Sequence, residues 1–164
     1  MNAATPRTTA GLKVSALSDR EIRMTRIFDA PRDLVFDAFT KPDLIKRWMY
    51  GPEGWSLPVC EVELKAGGKM RYVWKHKDGT SMGMSGVFRE IKRPSRIVHN
   101  ETFDEDWTGG ETLVTTLFTA TGGQTLVEQT VLYSSQAARD AVLKSPMEDG
   151  IAKGYDRLDK ILAQ

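Results

Sequence analysis

Apolar residues recur with period two over most of this chain and switch to helical spacing at two places. Ile22, Met24 and Phe28 alternate with Arg23 and Thr25, which predicts a strand. Pro31 then occupies a first helical position, where its missing N–H costs nothing, and Leu34, Val35, Ala38 and Phe39 follow at helical spacing. Pro42 opens a second short helix, with Leu44, Ile45 and Trp48 on one face. Six further strand-like stretches carry Cys60-Val62-Leu64, Met70-Tyr72-Trp74-His76, Met82-Met84-Phe88, residues 97–103, residues 112–119 and residues 125–133. Gly67-Gly68, Asp78-Gly79, Pro94-Ser95 and Gly122-Gly123 separate most of them with turn chemistry, so the seven predicted strands are antiparallel. At the C-terminus, Ser145-Pro146-Met147-Glu148 combines an N-cap serine, a first-position proline and a capping-box glutamate. Met147, Ile151, Leu158, Ile161 and Leu162 then form one stripe of a long helix. Gly150 and Gly154, four residues apart near that stripe, predict either a close approach of helix to sheet or room for a ligand. Residues 1–18 lack apolar periodicity and hold Pro6 and Gly11. They are expected to form a flexible tail ahead of a single domain spanning residues 19–164.

A strand, two short helices, six strands and a long terminal helix is the order of the α+β helix-grip fold, in which a curved antiparallel sheet wraps the last helix. Phe28-Asp29-Ala30-Pro31 running into Val35-Phe36-Asp37-Ala38 resembles the opening of the START-like (SRPBCC) superfamily, in the branch of proteins like the activator of the heat-shock ATPase. Trp48, Gly51-Pro52, Gly67-Gly68, Asp78-Gly79, residues 86–91, Gly123-Gln124-Thr125 and residues 154–158 extend the resemblance from Arg20 to the end of the chain. It implies the fold and often a cavity between sheet and helix. Function does not follow, because the superfamily hosts lipid carriers, cyclases, hormone receptors and co-chaperone domains. The eukaryotic activator carries a separate large N-terminal domain. About 18 residues precede the first strand here, so that domain is expected to be absent.

Composition narrows the classes. Twenty-three Lys and Arg against twenty-two Asp and Glu leave a net charge of +1. That balance argues against a nucleic-acid binder, which needs a basic stripe to displace counterions from phosphates. No apolar run approaches the roughly 20 residues that span a bilayer, so no membrane insertion is expected. The first thirteen residues lack the apolar core of a secretory signal. The single cysteine, Cys60, excludes an internal disulfide and fits a reducing compartment; a cytoplasmic location is the expectation. A homodimer is compatible with this composition.

Candidate chemistry is sparse. His76 and His99 are the two histidines, with no ligand spacing for zinc, and no metal or other cofactor is expected. Gly67-Gly68-Lys69 lacks the rest of a phosphate-binding loop, and Ser85 lies within a strand rather than on a strand-to-helix turn. Asp104-Glu105-Asp106 reads as a solvated loop, with Trp107 either exposed beside it or capping a cavity mouth. Arg26 shares the parity of Ile22 and Met24, and so needs a structural partner or an anionic ligand. Tyr72, Trp74, Met82 and Met84 face one way on adjacent strands. Rings and thioethers there suit a cavity that adapts to apolar ligands. The expectation is non-catalytic binding of a small hydrophobic molecule, a lipid or a polycyclic compound. Trp48, Tyr72, Trp74, Met82, Met84, Met147 and Ile151 are its ligand-binding residues. No catalytic residue is assigned on that reading. The alternatives are an enzyme resembling polyketide cyclases, with His76 or Glu101 as acid or base in the same cavity, or a stress-related chaperone-binding module.

Overall fold

The computed structural model describes residues 7–9 and 11–164. Its strands, in chain order, are β1 (Arg7–Thr9), β2 (Leu12–Ser18), β3 (Glu21–Phe28), β4 (Trp55–Val62), β5 (Lys69–His76), β6 (Ser81–Lys92), β7 (Arg96–Phe103), β8 (Thr112–Thr121) and β9 (Gln124–Leu132). Helices α1 (Arg32–Thr40) and α2 (Pro42–Ile45) follow β3, while α3 (Gln136–Leu143) and α4 (Met147–Leu162) close the chain. All strands join one antiparallel sheet in the order β1-β2-β3-β9-β8-β7-β6-β5-β4. This is the helix-grip arrangement: a curved sheet with the C-terminal helix against one face.

The seven predicted strands are β3 to β9, and the turns between them follow their chemistry. Gly79, Gly122 and Gly123 take the positive φ that tight hairpins require. The neighbouring strand approaches closely at Gly86, where a Cβ would lie 2.2 Å from the Asn100 carbonyl oxygen.

The N-terminal expectation is corrected for residues 12–18. They form β2, paired with β3 through Val14↔Met24 and Lys13↔Thr25, so a boundary at residue 18 does not separate a tail from the fold. Leu12 is fully buried and Val14 nearly so. Their alternation with Lys13 and Ser15 covers only four residues, too short a run to register as a strand signal beside Gly11. The part of that expectation that concerns residues 1–6 and 10 lies outside the described residues. Helix α3 is a second addition, with the Ser135 hydroxyl accepting from the Ala138 N–H at 3.0 Å. Helix α4 starts from Pro146 instead of Ser145, whose hydroxyl bonds back to the Val142 carbonyl.

The core lies between the sheet's inner face and the helices. Phe36 and Phe39 of α1, Phe28 of β3, Phe118 of β8 and Tyr155 of α4 meet in edge-on and tilted contacts with centroids 5.2–6.4 Å apart. Arg26, 7% exposed, answers its charge structurally: Nη2 bonds to Asp156 and Asp159, tying β3 to α4.

Candidate functional site

Beside that core the sheet and α4 separate around a cavity of about 360 Å³. Four elements supply its apolar walls. Trp48 and Met49 come from the segment after α2, Trp74 and Met82 from the β5–β6 hairpin, Phe103 from β7, and Met147 with Ile151 from the first turns of α4. Each tryptophan on the strand or helix side is fixed by its indole N–H. Trp48 donates to the Ala38 carbonyl at 2.9 Å, and Trp74 donates to the Met49 carbonyl at 2.8 Å. Rings then run from Trp74, stacked on Phe103 at 6.5 Å, to Trp107, whose centroid lies 5.1 Å from Phe103. The rigid parts of this wall are therefore aromatic and its adaptable parts are methionines.

Trp107 lines the cavity while remaining 43% exposed, which places it at the rim and answers the open question about the acidic loop. The loop is built, not merely solvated. Asp104 accepts from both terminal guanidinium nitrogens of Arg71 at 2.7 Å, which holds its carboxyl below the usual carboxylate range. Asp106 accepts from the Gly110 N–H, and the Ser134 hydroxyl donates to the Gly109 carbonyl.

Five of the seven predicted ligand-binding residues come together here: Trp48, Trp74, Met82, Met147 and Ile151. Tyr72 and Met84 do not. They pair across β5 and β6, 4% and 2% exposed, and belong to the packed core. Parity alone could not separate them from their neighbours, because sharing a face says nothing about where the opposing layer stops. Trp48 sits deep in the cavity wall, at 3% exposed. His76 lies outside the lining: its ring packs on Trp55 at 5.3 Å and its Nδ1 lies 3.0 Å from Asp78.

Polar groups enter the cavity from residues that the aromatic pattern did not flag. Glu101, Thr112 and Gln129 share inward parity on β7, β8 and β9, and Arg157 reaches in from α4. Gln129 accepts from the Tyr155 hydroxyl at 2.8 Å and donates to Thr116 at 3.2 Å. The Arg157 guanidinium stacks over Tyr50 at 3.9 Å. Glu101 pairs with His99, Oε2 to Nε2 at 2.9 Å. The signal was present in Ile97-His99-Glu101-Phe103, an alternation with polar members in the middle of an inward row.

Among the described residues, no group of His, Cys, Asp and Glu could hold a metal ion. Among the same residues, no helix is long and apolar enough to cross a membrane. Cys60 is buried, and burial pushes its thiol up to about 11. A wider groove, about 660 Å³, runs along the outer face of the sheet. Its lining carries Glu61, Glu63, Lys69, Arg71 and Glu111, a charged surface suited to water.

Residues 29–163 match the family described as Activator of Hsp90 ATPase homolog 1-like protein. A crystal structure from Rhodobacter sphaeroides is 33% identical, with a TM-score of 0.89 over 93% of this chain and 98% of that one. One from Nitrosomonas europaea superposes with a TM-score of 0.79 at 20% identity, over 91% of this chain and 97% of that one. A solution structure from Aeromonas hydrophila, at 20% identity and a TM-score of 0.65, covers 85% of this chain and 93% of that one. The last two show the fold alone. No curated protein matches the chain.

Proposed function

The chain belongs to the family of Activator of Hsp90 ATPase homolog 1-like proteins, and we propose that it binds a small apolar molecule between the sheet and α4 without transforming it. The observation that carries this reading is the cavity of about 360 Å³ walled by rings and thioethers. Binding pockets for small molecules span about 300–1,000 Å³ and are mostly apolar with a few placed polar groups, and this cavity meets both conditions near the lower bound. Its size favours a compact ring compound over a long-chain lipid. The single cysteine, free and buried, supports a reducing compartment such as the cytoplasm as its location.

The test is displacement of a hydrophobic dye, followed by fluorescence of the lining tryptophans Trp74 and Trp107. Trp74→Ala is expected to weaken binding. Ile151→Trp, which directs bulk into the space, is expected to abolish it while the protein stays folded. Equal dye binding in Ile151→Trp and the parent would place the dye elsewhere and overturn the reading.

A second reading has one observation in its favour. The Glu101–His99 pair gives the cavity an acid–base couple, as an enzyme resembling polyketide cyclases would need. His76, outside the lining, drops out of that alternative. Turnover of a bound polyketide-like compound, lost in Glu101→Gln, would promote it over binding.

A further inference from the structure

Glu101 is an unusual wall residue for an apolar cavity. It stands on β7 between His99 and Phe103 on the inward face, and its side chain is 25% exposed, toward the cavity it lines. An ionised carboxylate is acceptor-only and has to be met by donors when taken out of bulk water. His99 meets one oxygen: Nε2 lies 2.9 Å from Oε2.

The histidine's other nitrogen fixes how that bond is made. His99 is 8% exposed, and its Nδ1 is buried with no partner among the described residues. A proton on Nδ1 would be a buried donor with nothing to receive it, which is expensive. A carboxylate can only accept, so the ring carries a proton on Nε2 and donates it to Glu101. Phe88, 6.0 Å away, packs against the ring and holds its orientation.

Oε1 is then the acceptor left over, since no partner for it occurs among the described residues. The Tyr72 and Tyr133 phenols sit near enough that the Glu101 charge, after burial, helps hold both neutral. Yet neither hydroxyl hydrogen-bonds to it among the described residues. Three other polar side chains of the lining are engaged within the fold: Gln129 with Tyr155 and Thr116, Thr108 with the Gly110 carbonyl, Arg157 with Tyr50 and the Trp48 carbonyl, which leaves the Thr112 hydroxyl, across the ladder from Glu101, as a neutral group beside the carboxylate. The cavity thus presents one unpartnered carboxylate oxygen among rings and methionines.

We infer that the ligand is an apolar ring compound bearing a hydroxyl or amine donor, which Glu101 Oε1 receives while His99, a positioning residue, holds the carboxylate through Oε2. This rests on the reading of the cavity as a binding site. It adds a selectivity that apolar burial alone would not produce. Methylating the donor adds apolar area, so burial alone favours the ether, whereas Glu101 favours the free hydroxyl.

The experiment compares naphthol, its methyl ether and naphthoate by titration calorimetry on the full chain. Naphthol is expected to bind at least about tenfold more tightly than the ether, a difference of about 1.4 kcal/mol, with naphthoate weakest. Glu101→Leu is expected to erase the preference while keeping or raising affinity for the ether. His99→Phe should lose most of the preference with ether affinity unchanged, and His99→Gln, which can still donate, should recover part of it. Equal affinity of the parent for naphthol and ether would overturn the inference and leave the binding reading standing. Naphthoate binding most tightly, or a preference that persists in Glu101→Leu, would also overturn it. Failure of all three probes to bind would overturn both readings. The comparison on the parent protein decides the matter even if a variant fails to fold.

Discussion

Helix α4 lies on the sheet with two unlike ends. Toward its C-terminus, Leu158 is fully buried, and Tyr155 fills the space to Phe28 and Phe39, whose rings in turn reach Phe118. Toward its N-terminus the same helix offers Met147, Gly150, Ile151 and Gly154, and the sheet beneath them stands off across a cavity. The difference comes from what the helix projects over each half of the sheet: an aromatic ring and a buried leucine at one end, glycines between aliphatic side chains at the other. The filled end anchors the helix, reinforced by Arg26 between Asp156 and Asp159, and the other end borders the cavity.

The sharpest test of that contrast is truncation at each end. Leu158→Ala is expected to cost roughly 2–5 kcal/mol, as for other fully buried leucines with little room to collapse. Ile151→Ala, half-buried against existing space, is expected to cost about 1 kcal/mol or less. Urea unfolding measures both, and equal losses would break the distinction.

Alkali should act mainly through the packed interior. Burial raises the phenols of Tyr72, Tyr155 and Tyr133 above their ordinary value of 10.0, and the Cys60 thiol from 9.0 to about 11. Each acid binds its proton more tightly in the folded chain than in the unfolded one. Their contribution is therefore intact below about pH 9 and falls as pH rises, first from 9 to about 11 for Cys60, then above 10 for the phenols. Melting temperature across that range should drop together with the appearance of phenolate absorbance. Tyrosines that ionise at their ordinary value with no loss of stability would show a looser interior at both ends of α4.

A smaller effect separates the two glycines. A Cβ on Gly154 would sit 3.3 Å from the Trp48 carbonyl oxygen and 3.6 Å from its ring, whereas one on Gly150 would meet nothing within 4 Å. Gly154→Leu should overpack against Trp48 and cost about 1–3 kcal/mol. Gly150→Leu should leave stability close to that of the parent but lower affinity for an apolar dye, since its side chain enters the cavity. A Gly154→Leu protein as stable as the parent would mean that the Trp48 segment yields.

These glycines also mark what could be read in the sequence. Alternation and turn chemistry were enough for β3 to β9 and for the faces of the helices, because both signals are local. The open and the close-packed positions on α4 were not distinguishable, because Gly150 and Gly154 look alike until the layer opposite each is known. The same limit put Tyr72 and Met84 with the cavity when they belong to the core. Strand β2 was missed because Leu12 and Val14 make a short alternation whose value lies in pairing with β3. Glu101 was weighed only as an enzyme's acid or base. Its place beside His99 on an inward row is legible in retrospect, but the unpartnered oxygen is a fact of three dimensions.

The smallest prediction is the cleanest statement of the contrast. Alanine in place of glycine within a helix gains about 1 kcal/mol, largely by restricting the unfolded chain, provided the new methyl has room. Gly150 has that room, so Gly150→Ala should approach the full gain, which for a chain of this size raises the melting temperature by roughly 2–4 °C. Gly154 does not. Its methyl would press on Trp48, which is pinned through its indole bond to the Ala38 carbonyl and cannot retreat freely. Gly154→Ala should therefore gain less than Gly150→Ala, or lose stability. Thermal unfolding of the two variants side by side measures the difference. If Gly154→Ala gained as much as Gly150→Ala, the Trp48 contact would exert no constraint and the two glycines would be equivalent.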